Sequence, residues 1–569
     1  MKGEELLDYA IEQFENGVYD AALEAFILAY TKGFEQEWIL QNIYDCYISG
    51  NEAEFRKTYE TWQNHVNGQT AYGDCLLDFI PYREGEYYIY DKEIQSFRGV
   101  FSISSVRNAV RNKCFQEMEF SALVMVGDWD WSRMPGILAE AEYRKIYVIC
   151  KDVNKCGSFF KMPELGELAP GIMLFSDEKE FQTYFHENTA EYLPRIYGGT
   201  AEEKKVLERI VDQEHEYRLT PEGRNTDNVL LSIGIPTHDR GNLLLKRLEN
   251  LRQMPYDAEV EFAISKNGTH YYQEEYRSVS GIPDARINYV GYDKDLTFVQ
   301  NVYNVIKIAH GKYVLMVSDE DDVIFSALEH YLGFLSMHDD VALLRAQTRG
   351  VQSMPLQEDE YHYKGVDAFV NGWVADNYLS GAIYNRKIFQ QANILCWNKN
   401  YSGNVFYSFY PHLWWQAVLA LEGDYVRCAV ELICEGDGVQ QKQLERYYND
   451  KIEGWMENFV EECPEISVGS TYESRIQQFK GAAELLWEFG RMGREVKIWG
   501  LQTMVMKTLY LMNMVYEDFS YKADEYITEL KHLTDEVLQV MEQWKMDMDS
   551  QKRILDIING YLNGLELKG

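Results

Sequence analysis

The fold of this chain is decided by a stretch in which an apolar run ends in four consecutive acids: YVLMVSDEDD, residues 313–322. The run is short, rich in branched residues and follows Gly311, so it predicts a buried strand. Open α/β sheets bind ligands at the carboxyl ends of their strands, which is where these acids would lie. Adjacent carboxylates repel one another and resist burial unless a cation joins them. The stretch therefore indicates either a site for a hard divalent cation that carries a phosphate, or a polar loop or helix cap after a strand.

Strands and helices alternate upstream of these acids. The apolar segment LLSIGIPTHDR, residues 230–240, breaks at Pro236 and runs into an amphipathic helix. Further strands are expected over 260–264 and 287–290, and a helix over 297–309. Such an order predicts a mostly parallel sheet with crossover helices, which places the chain in the α/β fold class.

Four motifs in this region, taken in order, resemble those of family 2 glycosyltransferases, which have the GT-A fold. SIGIPTHDR (232–240) resembles the family's opening strand, which ends in Pro-Thr-Tyr-Asn-Arg. SKNGT (265–269) stands where the family has Asp-Asp-Gly-Ser, and VQN followed by AHGKYV (299–301 and 309–314) resembles Ala-Arg-Asn followed by Ala-x-Gly-Glu-Tyr-Ile. DEDD (319–322) resembles Asp-Ala-Asp-Asp, the metal motif of the DxD type.

The resemblance implies a metal-dependent, inverting, hexosyltransferase-type enzyme of the kind used in polysaccharide biosynthesis. Its donor would be a nucleotide-diphosphate sugar, with a UDP-sugar as first choice, and its acceptor a glycan, a lipid-linked glycan or a protein. Mn²⁺ or Mg²⁺ would be held by Asp319, Asp321 and Asp322, and would stabilise the charge on the leaving diphosphate. The donor contacts that the resemblance implies are Pro236, Thr237, Arg240, Asn267, Asn301, Asp319 and Glu320.

The general base departs from the family pattern, in which an Asp in a Glu-Asp pair opens a helix. The matching helix here begins YPHLWW, residues 410–415, and it places His412 at the base position. An imidazole can act as a base near neutral pH. His412 could equally be a structural cap or an acceptor-binding residue, and Asp376, just before an expected acceptor-side strand over 379–386, is the reserve candidate.

A second departure concerns the nucleotide base. Family members often bind uracil with an Asp near the end of the second strand, but Lys266 and Asn267 stand there in this chain. Asn267 still offers a donor and an acceptor, whereas Lys266 could touch phosphate or point to solvent. Asn301 could contact the donor or serve as a hydrogen bonder at a helix end. The identity of the nucleotide is thus left open.

Composition sets outer limits on function. A net charge of −36 over 569 residues argues against nucleic-acid binding and against broad adhesion to anionic lipid. Nine cysteines without a Cys-x-x-Cys pair suggest neither a zinc cage nor a disulfide framework, and they fit a reducing compartment. With no signal peptide and no apolar run of transmembrane length, we expect a cytoplasmic protein. Peripheral association with the inner face of the membrane and homo-oligomer formation are both left open.

The chain is long enough for several domains. We expect a tetratricopeptide-like helical region over 1–68, a small Rossmann-like α/β module over 69–200, a helix and linker over 201–227, the GT-A domain over 228–439 and an α-helical domain over 440–569. The module should contain strands over 123–127, 145–150 and 171–175 and a crossover helix over 135–143. It also carries a decoy, the pair Asp128 and Asp130, which lacks the ordered upstream motifs of the acids at 319–322.

Two other functions compete with the transferase. A sugar nucleotidyltransferase shares the α/β scaffold but needs a Gly-rich, basic loop after its first strand, and THDRGN (237–242) is a poor one. A non-catalytic protein that binds sugar nucleotides or glycans on the same fold is the other rival. This alternative stands because position 412 lacks the family's acidic base, and because Lys266 and Asn267 replace the residues with which the family binds the nucleotide base.

Overall fold

The computed structural model describes residues 2–66, 70–104, 121–127, 137, 140–141, 144–166, 171–254, 258–350, 356–373, 378–436, 472–490, 492–518 and 522–566. The chain forms two compact units, residues 1–228 with 329–338 and residues 229–328 with 339–569. The reserve base Asp376, the decoy acids Asp128 and Asp130 and most of the helix expected over 135–143 lie outside the described residues. The domain bounds given above stay predictions.

The first unit opens with a helical hairpin. Its helices α1 (Gly3–Glu15) and α2 (Tyr19–Thr31) are joined by a turn in which Gly17 has a φ of +75°, a conformation that favours glycine. Buried Ala22, Ala25 and Ala29 on α2 are small enough to let neighbouring helices approach closely. The helical character expected for this region is confirmed, and its likeness to a tetratricopeptide repeat stays a prediction. The hairpin is followed by α3 (Gln36–Ile43), a π-turn (Tyr44–Ile48) and α4 (Glu52–Val66).

Two small sheets complete the first unit. An antiparallel meander that sequence analysis did not foresee is made of β1 (Leu77–Arg83), β2 (Glu86–Asp91) and β3 (Ser96–Ser102). The predicted module has a parallel sheet in the order β6-β5-β4-β7, made of β4 (Leu123–Val126), β5 (Ile146–Ile149), β6 (Ile172–Phe175) and β7 (Ile196–Gly198). The helices of this part are α5 (Val153–Gly157), α6 (Pro163–Gly166), α7 (Glu178–Glu187) and α8 (Ala201–Arg218), with 3₁₀ turns at Tyr72–Asp74, Ser158–Lys161 and Thr226–Asn228.

The second unit is built on a nine-stranded mixed sheet. Its strands are β8 (Leu231–His238), β9 (Val260–Asn267), β10 (Ile287–Gly291), β11 (Tyr313–Met316), β12 (Asp322–Val323), β13 (Val341–Arg349), β14 (Glu360–His362), β15 (Ala382–Asn385) and β16 (Asp424–Cys434). They follow the order β10-β9-β8-β11-β15-β13-β16-β12, and β14 pairs with β16. The first four of that order are mutually parallel, while β15 runs antiparallel to both of its neighbours. This mixed α/β sheet confirms the expected GT-A-type architecture.

Helices connect these strands and extend beyond them. Those between β8 and β16 are α9 (Gly241–Arg252), α10 (Gln273–Val279), α11 (Phe298–Ile308), α12 (Phe325–Met337), α13 (Val366–Gly372), α14 (Arg386–Gln391), α15 (Ile394–Asn400), α16 (Val405–Phe409) and α17 (Pro411–Ala420). In the described part of the C-terminal region, which is helical as predicted, the helices are α18 (Tyr472–Glu488), α19 (Arg494–Asp518), α20 (Ala523–Gln543) and α21 (Met548–Glu566). In the described part of the chain, no helix combines the length and the apolar character that a bilayer crossing requires.

One hydrophobic core runs from the sheet into the C-terminal helices. It includes Val314 of β11, Trp414 of α17 and Leu530 of α20, all fully buried. A buried amide joins the same parts: the Asn404 side chain accepts a hydrogen bond from the Tyr407 N–H and donates to the Gly481 carbonyl of α18, each at 3.0 Å. We infer that the C-terminal helices are an integral part of the second unit.

Asn404→Ala should lower the thermal stability of the second unit. The change removes the N-terminal cap of α16 and leaves a buried carbonyl without its donor, which costs about 1–3 kcal/mol. Differential scanning calorimetry checks this, with the exposed Asn400→Ala on α15 as the control. Equal melting temperatures for the two variants would contradict the role assigned to Asn404.

Candidate functional site

The candidate site lies at the carboxyl ends of two adjacent parallel strands. β8 and β11 pair with Gly234 opposite Met316, so the segments that follow them leave the sheet side by side. Glycine is required at 234 because a Cβ there would collide with Val305 of α11. The motif after β8 is thereby brought against the acids after β11.

Arg240 joins the two segments through its guanidinium. Its Nη1 donates to Oδ1 of Asp319 and to Oε2 of Glu320, each at 3.2 Å. Asp319 is buried, whereas the Arg240 and Glu320 side chains are 31% and 35% exposed. A single cationic group therefore bridges one buried and one accessible carboxylate.

The hydroxyl groups of Tyr276 and Thr237 link the Arg240 backbone to Asp319. The Arg240 backbone N–H donates to the Tyr276 hydroxyl at 2.8 Å, and that hydroxyl lies 2.8 Å from Oγ1 of Thr237. The Thr237 side chain in turn hydrogen-bonds to Asp319. Each hydroxyl can both donate and accept, so either one can be the donor in the bond between Thr237 and Tyr276. Tyr276 was missed by sequence analysis because no motif marks it.

Burial sets the protonation behaviour of both bridged acids. It raises the pKa of Asp319, and the nearby Arg240 opposes that rise. It also raises the pKa of Glu320, and the charges of Asp319 and Asp321 act in the same direction. Both acids thus lie where a further positive charge would favour their ionised forms.

Asp321 has a different environment, because its carboxylate is fully buried and surrounded by protein donors. The Tyr378 hydroxyl lies 2.7 and 2.9 Å from its two oxygens, the Ser380 hydroxyl donates to Oδ2, and the Gly436 N–H donates to Oδ1 at 3.0 Å. Burial and the bond to Asp321 raise the pKa of the Tyr378 hydroxyl, which keeps it a donor. Asp321 thereby fastens the segments before β15 and after β16 to the acidic turn.

Asp322 points to α9 rather than to Asp319. It forms an ion pair with Arg247 and accepts a hydrogen bond from Asn250 at 3.1 Å. Arg247 also donates to the Glu320 carbonyl at 2.5 Å. The three acids predicted to share a metal ion therefore have separate protein partners in this structure.

The amide groups predicted to contact the donor are engaged within the protein. Asn267 accepts from the N–H groups of Gly268 and Leu296 and donates to the Leu296 carbonyl, so its side chain holds the loop that precedes α11. Asn301 accepts from the Ser265 hydroxyl at 2.7 Å and donates to the Thr237 carbonyl at 3.2 Å. Both fix the geometry of strand ends, and their predicted donor contacts stay predictions.

Asp239 shapes the loop after β9, which sequence analysis did not anticipate. It has a φ of +50° and accepts hydrogen bonds from the N–H groups of His270 and Tyr271, at 3.2 and 3.1 Å. Gly268 allows this close approach, because it has a φ of +86° and a Cβ there would collide with the Asp239 carboxylate. The loop is therefore held over the carboxyl end of β8.

The remaining predicted residues lie on well-defined elements. Pro236 lies within β8 opposite Ser265, and Lys266 is buried with its Nζ 5.4 Å from the centre of the Tyr276 ring, rather than pointing to solvent. His412 lies in the first turn of α17, as predicted, but it is only 3% exposed. An acceptor could reach this imidazole only if its surroundings moved.

The donor set suits a hard divalent cation at Asp319 and Glu320. Carboxylate oxygens are the ligands that Mg²⁺ and Mn²⁺ prefer, and Mg²⁺ typically takes only one or two of them. The Arg240 guanidinium already marks a position between these two carboxylates that favours positive charge. Asp321 fits less well, because its oxygens are occupied by the hydroxyl groups and the N–H described above.

No protein-family model matches the chain, and neither does any curated protein. The chain is similar to S. aureus TarS 1–349 in complex with UDP-GlcNAc, with 12% identity over 59% of this chain and 92% of that chain and a TM-score of 0.37. It is also similar to the mannosyltransferase PcManGT from Pyrobaculum calidifontis in complex with GDP-Man and Mn²⁺, with 10% identity over 59% of this chain and 86% of that chain and a TM-score of 0.32. Because these scores are low, the functional conclusion rests on the chain's own residues.

Gly436→Ala should disturb the acidic turn. A Cβ at this position would collide with the Glu320 carbonyl, and such overpacking typically costs about 1–3 kcal/mol. We expect a lower melting temperature and weaker binding of any ligand held by Glu320. The matched control is Gly403→Ala, where a Cβ would meet open space. If the two variants behave alike, Gly436 does not position the turn.

Proposed function

We propose that this protein is a metal-dependent, inverting glycosyltransferase that uses a nucleotide-diphosphate sugar as donor. The observation that carries the proposal is the meeting of Thr237, Arg240, Asp319 and Glu320 at the ends of β8 and β11. Ligands of α/β sheets bind at this edge. A diphosphate alone would be repelled by the acids, whereas a diphosphate that carries a divalent cation brings the missing positive charge.

The proposed reaction assigns a task to each group. An acceptor hydroxyl oxygen forms a bond to the anomeric carbon while the bond from that carbon to the diphosphate oxygen breaks. The electron pair leaves with the diphosphate, and the hydroxyl proton passes to a general base. A single displacement of this kind inverts the anomeric centre. Mn²⁺ or Mg²⁺, when bound, supplies electrostatic stabilisation of the diphosphate charge.

We place the cation on Asp319 and Glu320 rather than on Asp321 and Asp322. Glu320 is accessible and Asp319 lies next to it, while Asp321 is enclosed by Tyr378, Ser380 and Gly436. Arg240 is the group best placed to contact the donor diphosphate. His412 is the proposed base and Asp376 its reserve. A UDP-sugar is the first donor to test, and the acceptor is a glycan, a lipid-linked glycan or a protein hydroxyl.

A non-catalytic protein that binds sugar nucleotides is the second candidate. It is favoured by two observations. His412 is almost completely buried, and the Asn267 amide forms its hydrogen bonds with protein groups. Such a protein would bind the metal and nucleotide but would neither transfer nor hydrolyse the sugar.

Asp319→Asn should abolish metal-dependent stabilisation by the donor. In a thermal-shift panel of nucleotide diphosphates and their sugars, one nucleotide is expected to raise the melting temperature of the wild-type protein when Mn²⁺ is present, by mass action. The variant loses a charged ligand, so its response to that nucleotide and Mn²⁺ should disappear. The control is Asp339→Asn, an exposed carboxylate that pairs with Lys312 at the opposite end of β11. The proposal fails if no member of the panel stabilises the wild-type protein.

His412→Gln should separate the two candidates. For a transferase with this base, the rate of sugar transfer falls about 10²–10⁴-fold while nucleotide affinity is retained. Transfer or hydrolysis of a radiolabelled sugar from the donor gives the rate, and calorimetric titration gives the affinity. An unchanged rate would exclude His412 as the base, and no turnover in the wild-type protein with any acceptor would favour the binding protein.

A further inference from the structure

Arg240 lies between the two carboxylates on which the proposed metal ion would bind. Its Nη1 lies 3.2 Å from a carboxylate oxygen of Asp319 and 3.2 Å from one of Glu320. The backbone of Arg240 is held separately, by the Tyr276 hydroxyl. The backbone position of Arg240 therefore does not depend on its guanidinium, and the side chain is 31% exposed.

A guanidinium and a divalent cation cannot share the space between these two carboxylates. Both are drawn there by the same charge, and like charges at such separations repel strongly in a partly buried site. Arg247 also lies at the acidic turn, but it is committed to Asp322 and to the Glu320 carbonyl. The guanidinium that competes with a divalent cation for Asp319 and Glu320 is therefore that of Arg240.

We infer that Arg240 is an internal counter-ion that holds the place of the divalent cation until the donor arrives. The inference rests on the proposed function. When donor and cation bind together, the guanidinium transfers from the two carboxylates to the diphosphate, for which its planar fork of donors is well suited. Arg240 is thus a positioning residue for the metal as well as a donor contact.

Binding of metal and nucleotide should then be coupled. The cation alone must displace Arg240 without offering it a new partner, so it binds weakly. The diphosphate supplies that partner, so each ligand strengthens the binding of the other, and by the same factor. Loss of the guanidinium should strengthen the binding of metal alone and reduce the coupling.

The test is a Mn²⁺ titration of the full chain, with free Mn²⁺ measured by electron paramagnetic resonance at mildly alkaline pH so that the carboxylates stay ionised. We expect Arg240→Gln to bind Mn²⁺ about tenfold more tightly than the wild-type protein, because the guanidinium that competes for Asp319 and Glu320 is removed. Arg240→Lys keeps the charge and should remain close to wild type. The matched control is Arg427→Gln, which removes a similarly exposed guanidinium paired with Glu360. Circular dichroism melts establish that each variant is folded.

The titrations are repeated with UDP to measure the coupling. A smaller gain in Mn²⁺ affinity on addition of UDP in Arg240→Gln than in the wild-type protein supports the inference. Unchanged or weaker binding of Mn²⁺ alone by Arg240→Gln overturns it, even where wild-type protein binds UDP with metal and the proposed function stands. No binding of Mn²⁺ or nucleotide by any variant overturns both.

Discussion

The chemistry of the second unit depends on one electrostatic constraint, which is the crowding of carboxylates at the carboxyl end of β11. Asp319, Glu320, Asp321 and Asp322 follow one another, and Glu435 adds its charge from the segment after β16. The structure sets Arg240 and Arg247 against them. Negative charge is left in excess, and a partly buried site with such an excess attracts a cation.

The fold resolves the crowding by giving each acid its own task. Asp321 turns inward and fastens two neighbouring segments through Tyr378, Ser380 and Gly436. Asp322 turns toward α9, where Arg247 neutralises it. Glu320 is left accessible beside the buried Asp319, and Arg240 bridges these two carboxylates. These interactions tie the turn to three neighbouring segments, and a turn held in this way can present the other two carboxylates as preorganised ligands.

Sequence patterns predicted the parallel part of the large sheet, because hydrophobic periodicity and strand–helix alternation depend on local spacing, but not its antiparallel pairings. The strand before the acids and the helix after Thr297 both lie where the sequence predicted them, as β11 and α11. The meander β1–β3 was missed because strands in this region were predicted from apolar runs. The strand β2, with the sequence EYYIYD, is rich in tyrosine and contains no such run.

The partners of the acids could not be predicted, since they come from distant parts of the chain. Tyr276, Tyr378 and Gly436 carry no motif, and only the fold brings them to Thr237 and Asp321. Residue type alone also left Asn267 and Asn301 ambiguous, because an amide can bind a ligand or a neighbouring backbone equally well. The role of each amide depends on which protein donors and acceptors lie within hydrogen-bond distance of its side chain in the folded chain.

Crystals soaked with MnCl₂ and UDP, with diffraction data collected at the manganese edge, would test the central claim most directly. The account predicts an anomalous peak within coordination distance of Asp319 and Glu320, with the Arg240 guanidinium moved onto the diphosphate. An anomalous peak held by Asp321 or Asp322, or clear density for UDP without manganese beside Asp319, would contradict it.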